Sequence, residues 1–313
     1  MHKTNKSILS RRKFLKISAC SLAFSLTPNI LNANEREKIS WSGIALGAQS
    51  NMTLFHKNKL YAKDTLDICI NEIKRLENIF SLFIPNSSIC LLNKNGNLEN
   101  SPKELVEVLK FAEDISIKTN GAFDVTVQPL WVAHAKYSNN RNKLKKAIKE
   151  AKNLISYKNI QIKEDKISFK KPNVQITLNG IAQGYITDKI TSILRQKGFT
   201  NVLVDLGELN SIGGYNEQRD WNIATPYLVN TPYLKLNNQA MASSGGYGTM
   251  FSKRYHHLFD TKTRTSANYI KSATVKANNA TLADALATAI CVMPKKENEK
   301  LKSTYPEIEI YTS

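Results

Sequence analysis

The sequence holds none of the short signatures that announce the commonest nucleotide and hydrolase chemistries: no GxxxxGK[ST], no GxGxxG, no GxSxG and no HExxH. P-loop, Rossmann, hydrolase-elbow and zincin readings therefore lose their main support. No CxxC pair occurs, and only four cysteines (Cys20, Cys69, Cys90 and Cys291) are spread through 313 residues. Cleavage after Ala33 would leave three of them, an odd count that gives no disulfide framework and makes buried free thiols the expected state. No internal repeat or low-complexity linker divides the chain, and acidic residues are missing from the first 33 positions.

What is present is ordinary for a folded protein. Hydrophobic residues make up 42% and charged residues 22%, which fits neither wholesale disorder nor a polytopic membrane protein. The chain is long enough to bury a large core. Lys and Arg number 44 against 26 Asp and Glu, a net +18, of which +6 falls in the acid-free start and +12 in the remainder. Such a surplus could draw nucleic acid, anionic lipid or a phosphorylated small molecule, because charge sign sets encounter rates and not chemistry. Around Lys143 to Lys158 the lysines are mixed with Asn and Ile, as on a solvated face. No recognition helix, zinc knuckle or aromatic-basic repeat supports a nucleic-acid partner.

Ser10-Arg11-Arg12-Lys13-Phe14-Leu15-Lys16, an apolar stretch from Ile17 to Leu26, Pro28 and small Ala33 read as a twin-arginine export signal. The apolar run is shorter than the about 20 residues that cross a bilayer. Cys20 resembles a lipoprotein cleavage box, but almost no apolar region precedes it. The expectation is a leader over residues 1–33 and a periplasmic chain over 34–313 with three cysteines, folded before it crosses.

Apolar residues at Leu66, Ile70, Ile73, Leu76 and Ile79 predict a helix to Phe80. Ser101-Pro102-Lys103-Glu104 predicts a second, with Ser101 as its cap, running to about Lys118. A Lys-rich helical segment is expected between Lys136 and Lys158, then a hairpin over Asn159–Phe169 turning at Glu164-Asp165. Strands are expected at Val174–Leu178, Asn201–Leu206, Trp221–Ala224, Tyr255–Phe259, Ser272–Ala277 and Ile308–Tyr311. Helices are expected at Gln183–Lys197 and Ala280–Val292. Irregular alternation of this kind predicts an α+β or mixed α/β fold around one core.

Four segments look odd as pure structure. Gly121-Ala122-Phe123-Asp124-Val125-Thr126 leaves a helix through glycine and sets an acid beside an aromatic; a helix stop followed by a strand would also account for it. Leu178-Asn179-Gly180-Ile181-Ala182-Gln183-Gly184-Tyr185 is either a plain turn or a place where a ligand meets backbone amides at a helix start, where the dipole favours phosphate. Asp284 and Thr288 lie four apart on a helix, so their oxygens share a face. They either help hold Mg2+, which takes one or two carboxylates and completes its shell with water and phosphate, or Asp284 caps a neighbouring element. His256 and His257 on a strand would point to opposite faces, so one of them enters a given pocket.

In this order the motifs resemble the ApbE family of flavin transferases, FAD:protein FMN transferases. The resemblance runs from about Ala45 to the final strand on Arg75-Leu76-Glu77, Ser87-Ser88-Ile89, Gly121-Ala122-Phe123-Asp124-Val125-Thr126, Gly184-Tyr185, Asp205-Leu206-Gly207, Ala242-Ser243-Ser244-Gly245, His257-Leu258-Phe259-Asp260 and Ala283-Asp284-Ala285-Leu286-Ala287-Thr288. It implies a single ApbE-like, T-fold-like unit binding FAD and Mg2+, and transfer of FMN to a Ser or Thr hydroxyl of another protein with release of AMP. The flavin contacts it implies are Leu46, Phe83, Ala122, Phe123, Asp124, Thr177, Gln183 and Leu258. Its metal ligands are Gly180 through its carbonyl, Asp284 and Thr288, and His257 matches the histidine suspected of accepting the hydroxyl proton. The implied partner is a periplasmic or membrane-bound redox protein carrying a flavinylation motif like Asp-x-x-Ser/Thr-Gly-Ala-Ser/Thr, which this chain itself lacks. Two positions depart from the pattern, Thr177 where many members carry an acid and Gln183 where they carry Lys or Glu. Those departures keep non-catalytic FAD delivery open, and water in place of the acceptor hydroxyl at the same metal site keeps open a second alternative, hydrolysis of FAD to FMN and AMP.

Overall fold

The computed structural model describes residues 36–228 and 231–313, so the expected leader over 1–33, with Cys20, lies outside the described residues. The fold is mixed α/β. Its centre is a seven-stranded antiparallel sheet of order β1-β2-β6-β7-β10-β13-β14. These strands are β1 (Glu37–Ala45), β2 (Ala48–His56), β6 (Val202–Asp205), β7 (Leu209–Ile212), β10 (Ala240–Gly245), β13 (Ser272–Ala277) and β14 (Glu309–Thr312). A three-stranded sheet joins β3 (Asn97–Leu98), β5 (Lys166–Phe169) and β4 (Ile160–Lys163); β8 (Trp221–Ala224) pairs with β9 (Tyr233–Leu236), and β11 (Phe259–Asp260) with β12 (Thr265–Ser266). The helices are α1 (Lys59–Phe80), α2 (Ser88–Asn95), α3 (Lys103–Lys118), α4 (Gln128–Tyr137), α5 (Arg141–Ala151), α6 (Ala182–Gln196), α7 (Ala280–Cys291) and α8 (Lys295–Thr304).

Apolar spacing explains α1: Leu66, Cys69, Ile73, Leu76 and Phe80 recur every three or four residues and are buried. Its start lies earlier than the apolar pattern showed, where the Asn58 side chain accepts from the Tyr61 N–H at 3.0 Å. Helix α7 is buried at every residue except Thr288, because its alanines let it press between α6 and strands β10 and β13. Asp188 of α6 ties down its first turn, accepting from the Ala280 and Thr281 N–H groups at 2.7 and 2.8 Å. The closest approach is at Gly184, where an added Cβ would lie 2.3 Å from the Ala280 carbonyl oxygen. Cys69 and Cys291 are buried and Cys90 is half-buried, all as free thiols. Burial pushes the first two up to about 12, so they are inert thiols at neutral pH.

Several expectations are corrected. Residues 174–178 form no strand; the Asn93 carboxamide takes both polar groups of Ile176, accepting from its N–H at 2.7 Å and donating to its carbonyl at 2.8 Å. Ser101 does not cap α3, because its hydroxyl donates to the Leu98 carbonyl and Pro102 holds the cap position. The stretch from Lys136 to Lys158 is not one helix but the end of α4, then α5, then a 3-10 turn. Residues 255–258 are loop, joined to the chain before them by a single bridge between Met250 and His256. The 159–169 hairpin is present, turning at Glu164 with φ 52°.

Candidate active site

One cavity of about 700 Å³ opens beside the central sheet, within the usual range for a small-molecule site. Its walls come from the β1–β2 hairpin, the end of α1, residues 177–183, the β6–β7 turn, β10 with the glycine loop after it, His257-Leu258 and α7. Each wall is placed by local chemistry. Leu46 lines the cavity from the hairpin turn, where it and Gly47 both have positive φ (47° and 81°). A leucine there is strained by roughly 1–2 kcal/mol; its N–H donates to Glu77 Oε1 at 2.7 Å, which holds the turn. At Gly207, with φ 99°, an added Cβ would meet the Gln183 amide at 2.3 Å, so the turn and Gln183 fit together.

Helix α7 brings Asp284 and Thr288 to the cavity one turn apart. Asp284 Oδ2 accepts from the Gly184 N–H at 3.1 Å, in the first turn of α6, which has no side-chain cap of its own. Thr288 Oγ1 lies 3.1 Å from Ser244 Oγ, and an added Cβ on Gly180 would come within 2.8 Å of it. The backbone at Gly180 is thus pressed against Thr288. A carboxylate, a hydroxyl and a nearby backbone carbonyl form the all-oxygen donor set that a hard divalent cation uses. Burial pushes Asp284 up to about 7. Glu208, also on the cavity, is held well above the usual carboxylate range, first by burial and then by the charge of Asp284. Two buried acids without a counter-cation are costly, and a bound cation would relieve both. Among the described residues no group of three or more His, Cys, Asp or Glu side chains is arranged to hold a metal. Any cation here therefore depends on hydroxyl, carbonyl and ligand oxygens.

His257 lines the same cavity, and burial, reinforced by His256, pulls it down to about 4. The ring is neutral at physiological pH. Its Nδ1 accepts from the Thr249 N–H at 3.1 Å, which assigns the ring proton to Nε2. His256 does not line the cavity; its Nδ1 accepts from the Leu258 N–H at 3.3 Å.

Leu46, Phe83, Thr177, Gly180, Gln183, His257, Leu258, Asp284 and Thr288 are thus gathered around one space. Ala122, Phe123 and Asp124 are buried but do not line it. Asp124 accepts from the N–H groups of Thr126 and Tyr157 at 2.8 Å, and the Val125 carbonyl accepts from the Thr177 N–H at 2.8 Å. This segment braces Thr177 from behind. Sequence reasoning missed Glu208, whose only signal is an acid directly after the Asp205-Leu206-Gly207 turn. It also missed the Tyr227–Tyr247 stack, with centroids 3.9 Å apart on the cavity wall, because its members are distant in sequence.

Beneath the histidine loop, His134 is fully buried with neither ring nitrogen hydrogen-bonded, packed on Phe251, Tyr255 and Phe259. Burial, with a smaller contribution from His256, pulls it to about 4. A group lowered in the folded state gives stability that is whole above its unfolded value near 6.5 and is lost as pH falls towards 4. His134→Phe is expected to flatten the decline of stability between those pH values by about 1–3 kcal/mol relative to wild type. Parallel melting curves for the two proteins across that range would refute it.

Comparison with known proteins assigns the chain to a family. The chain matches the ApbE family over residues 46–312 and belongs to that family. It is 26% identical to the FAD:protein FMN transferase of Haemophilus influenzae, over 94% of this chain and 88% of that one. It is 24% identical to that of Vibrio cholerae, over 82% of each. Among solved structures it is similar to the ApbE protein of Thermotoga maritima (TM-score 0.77, 26% identity, 88% of this chain and 94% of that one). It is also similar in fold to flavin transferase ApbE of Vibrio cholerae (TM-score 0.75, 21% identity, 88% and 93%).

Proposed function

We propose that the protein is an FAD:protein FMN transferase that moves FMN from FAD to a Ser or Thr hydroxyl of a periplasmic or membrane-bound redox protein, releasing AMP. The observation that carries this reading is the single cavity that unites Asp284 and Thr288 with a neutral, buried His257 in a chain of this family. The twin-arginine leader motif supports export to the acceptor's compartment.

Asp284, Thr288 and the Gly180 carbonyl would hold Mg2+ against the pyrophosphate. When bound, such a cation would supply neutralisation of charge on the phosphoryl oxygens and the leaving AMP. Leu46, Phe83, Thr177, Gln183 and Leu258 would border the flavin nucleotide. The acceptor oxygen forms a bond to the flavin-side phosphorus while the bridge to AMP breaks, and the hydroxyl proton must leave. His257, whose Nδ1 is engaged by the Thr249 N–H, would accept the hydroxyl proton at Nδ1 only in exchange for that bond. Thr177 and Gln183 are neutral, so they orient the ligand by hydrogen bonds and add no charge to the site.

Incubating the protein with FAD, Mg2+ and an acceptor bearing Asp-x-x-Ser/Thr-Gly-Ala-Ser/Thr should raise the acceptor's mass by one FMN. FMN released free would point to FAD hydrolysis instead, and retained FAD without AMP to a delivery protein.

A further inference from the structure

We propose that α5 and its flanks form a docking surface for an anionic lipid bilayer. Residues 136–171 carry twelve Lys and Arg against three Asp and Glu, a net +9, whereas all of residues 34–313 net +12. All twelve cations are exposed. Among the described residues only Lys146, 4.0 Å from Glu150, and Lys166, beside Glu99, form ion pairs in this stretch. On α5, Arg141, Lys145 and Lys149 recur one turn apart, and Lys152 continues the row at the helix end. Like charges at that spacing lower helix stability, and among the described residues none of these four cations forms an ion pair with an acid. Leu144 and Ala151 are buried on the adjoining face, so the cations stand on a helix already seated against α4.

The composition of this ridge selects its partner. Protein interfaces draw most of their affinity from aromatic and other large anchors, and none of the exposed large hydrophobic side chains among the described residues falls between 136 and 171. Single-stranded nucleic acid needs aromatic platforms, which this helix also lacks. A diffuse row of cations without anchors fits the negative potential of an anionic leaflet, where each contributes separately and none must insert. Helix α4, on which α5 rests, lends Trp131 to the cavity wall. Docking would therefore hold the cavity close to the bilayer. That a membrane-bound acceptor benefits rests on the proposed function; the docking itself does not.

Sedimentation of the full chain with phosphatidylcholine vesicles containing one-third phosphatidylglycerol tests the proposal. The variant Arg141→Glu/Lys145→Glu/Lys149→Glu/Lys152→Glu should lose binding by about 100-fold or more. Lys295→Glu/Lys296→Glu/Lys300→Glu/Lys302→Glu, an equal change of charge on exposed positions of α8, should lose less than about threefold. Should the first variant melt early, the same four positions changed to Gln provide the comparison. Equal losses in both sets would overturn the proposal, as would vesicle binding that survives the α5 changes. So would retained vesicle binding alongside loss of an acidic protein or an oligonucleotide assayed in parallel.

Discussion

Asp284→Asn is expected to cut FMN transfer by about 10³-fold or more while the ligand-free protein melts no lower than wild type. Asn keeps an oxygen for the Gly184 N–H, so the cap on α6 survives, but it removes a charge that burial opposes. An acid raised in the folded state binds its proton more tightly there than in the unfolded chain. Its contribution to stability is whole below about 4 and declines as pH rises through about 7. The variant should lack that decline. A second readout is independent of turnover: Mg2+ should raise the melting temperature of wild type by mass action and leave Asp284→Asn unmoved. Equal stabilisation of both proteins by Mg2+, or unimpaired transfer by the variant, would remove Asp284 from the cation site.

Gly184→Ala should destabilise the protein by about 1–3 kcal/mol in urea unfolding, the range for overpacking a close contact. The added methyl would meet the Ala280 carbonyl oxygen at 2.3 Å and Asp284 Cβ at 2.9 Å. Both obstacles are parts of α7 that cannot swing aside, unlike the side-chain end that Gly246 faces at His256. The change would also push Asp284 from its position, so activity should fall along with stability. A loss below about 1 kcal/mol would show that the two helices can separate at little cost.

The elements legible in the sequence are those whose periodicity is strong and whose ends carry local chemistry. Helix α1 declared itself through Leu66, Ile73 and Leu76, and β4–β5 through alternation around Glu164. The β1–β2 hairpin did not, because β1 is an edge strand with small and polar residues and its turn places a leucine at positive φ. Residues 174–178 alternate in burial as a strand does, yet no neighbouring strand pairs with them. The pair Asp284 and Thr288 was readable because a helix fixes the phase of residues four apart. Glu208, in the β6–β7 turn, and the Tyr227–Tyr247 stack, from two separate loops, were not, since only the fold brings them to the cavity. His257 was found for its chemistry but assigned to a strand, and the loop it occupies is what allows the Thr249 N–H to set its tautomer.

The bond pair between Asn93 and Ile176 has a wider consequence. A sheet spreads its load over many rungs, so one poor rung is tolerated; here the Asn93 carboxamide and, one residue on, the Val125 carbonyl suspend the stretch that leads to Thr177 and Gly180. This part of the chamber's wall is therefore coupled to α2, the helix that carries Asn93, as well as to the sheet. Any change that slides that helix along its axis is felt first at the chamber, while the strands keep their register.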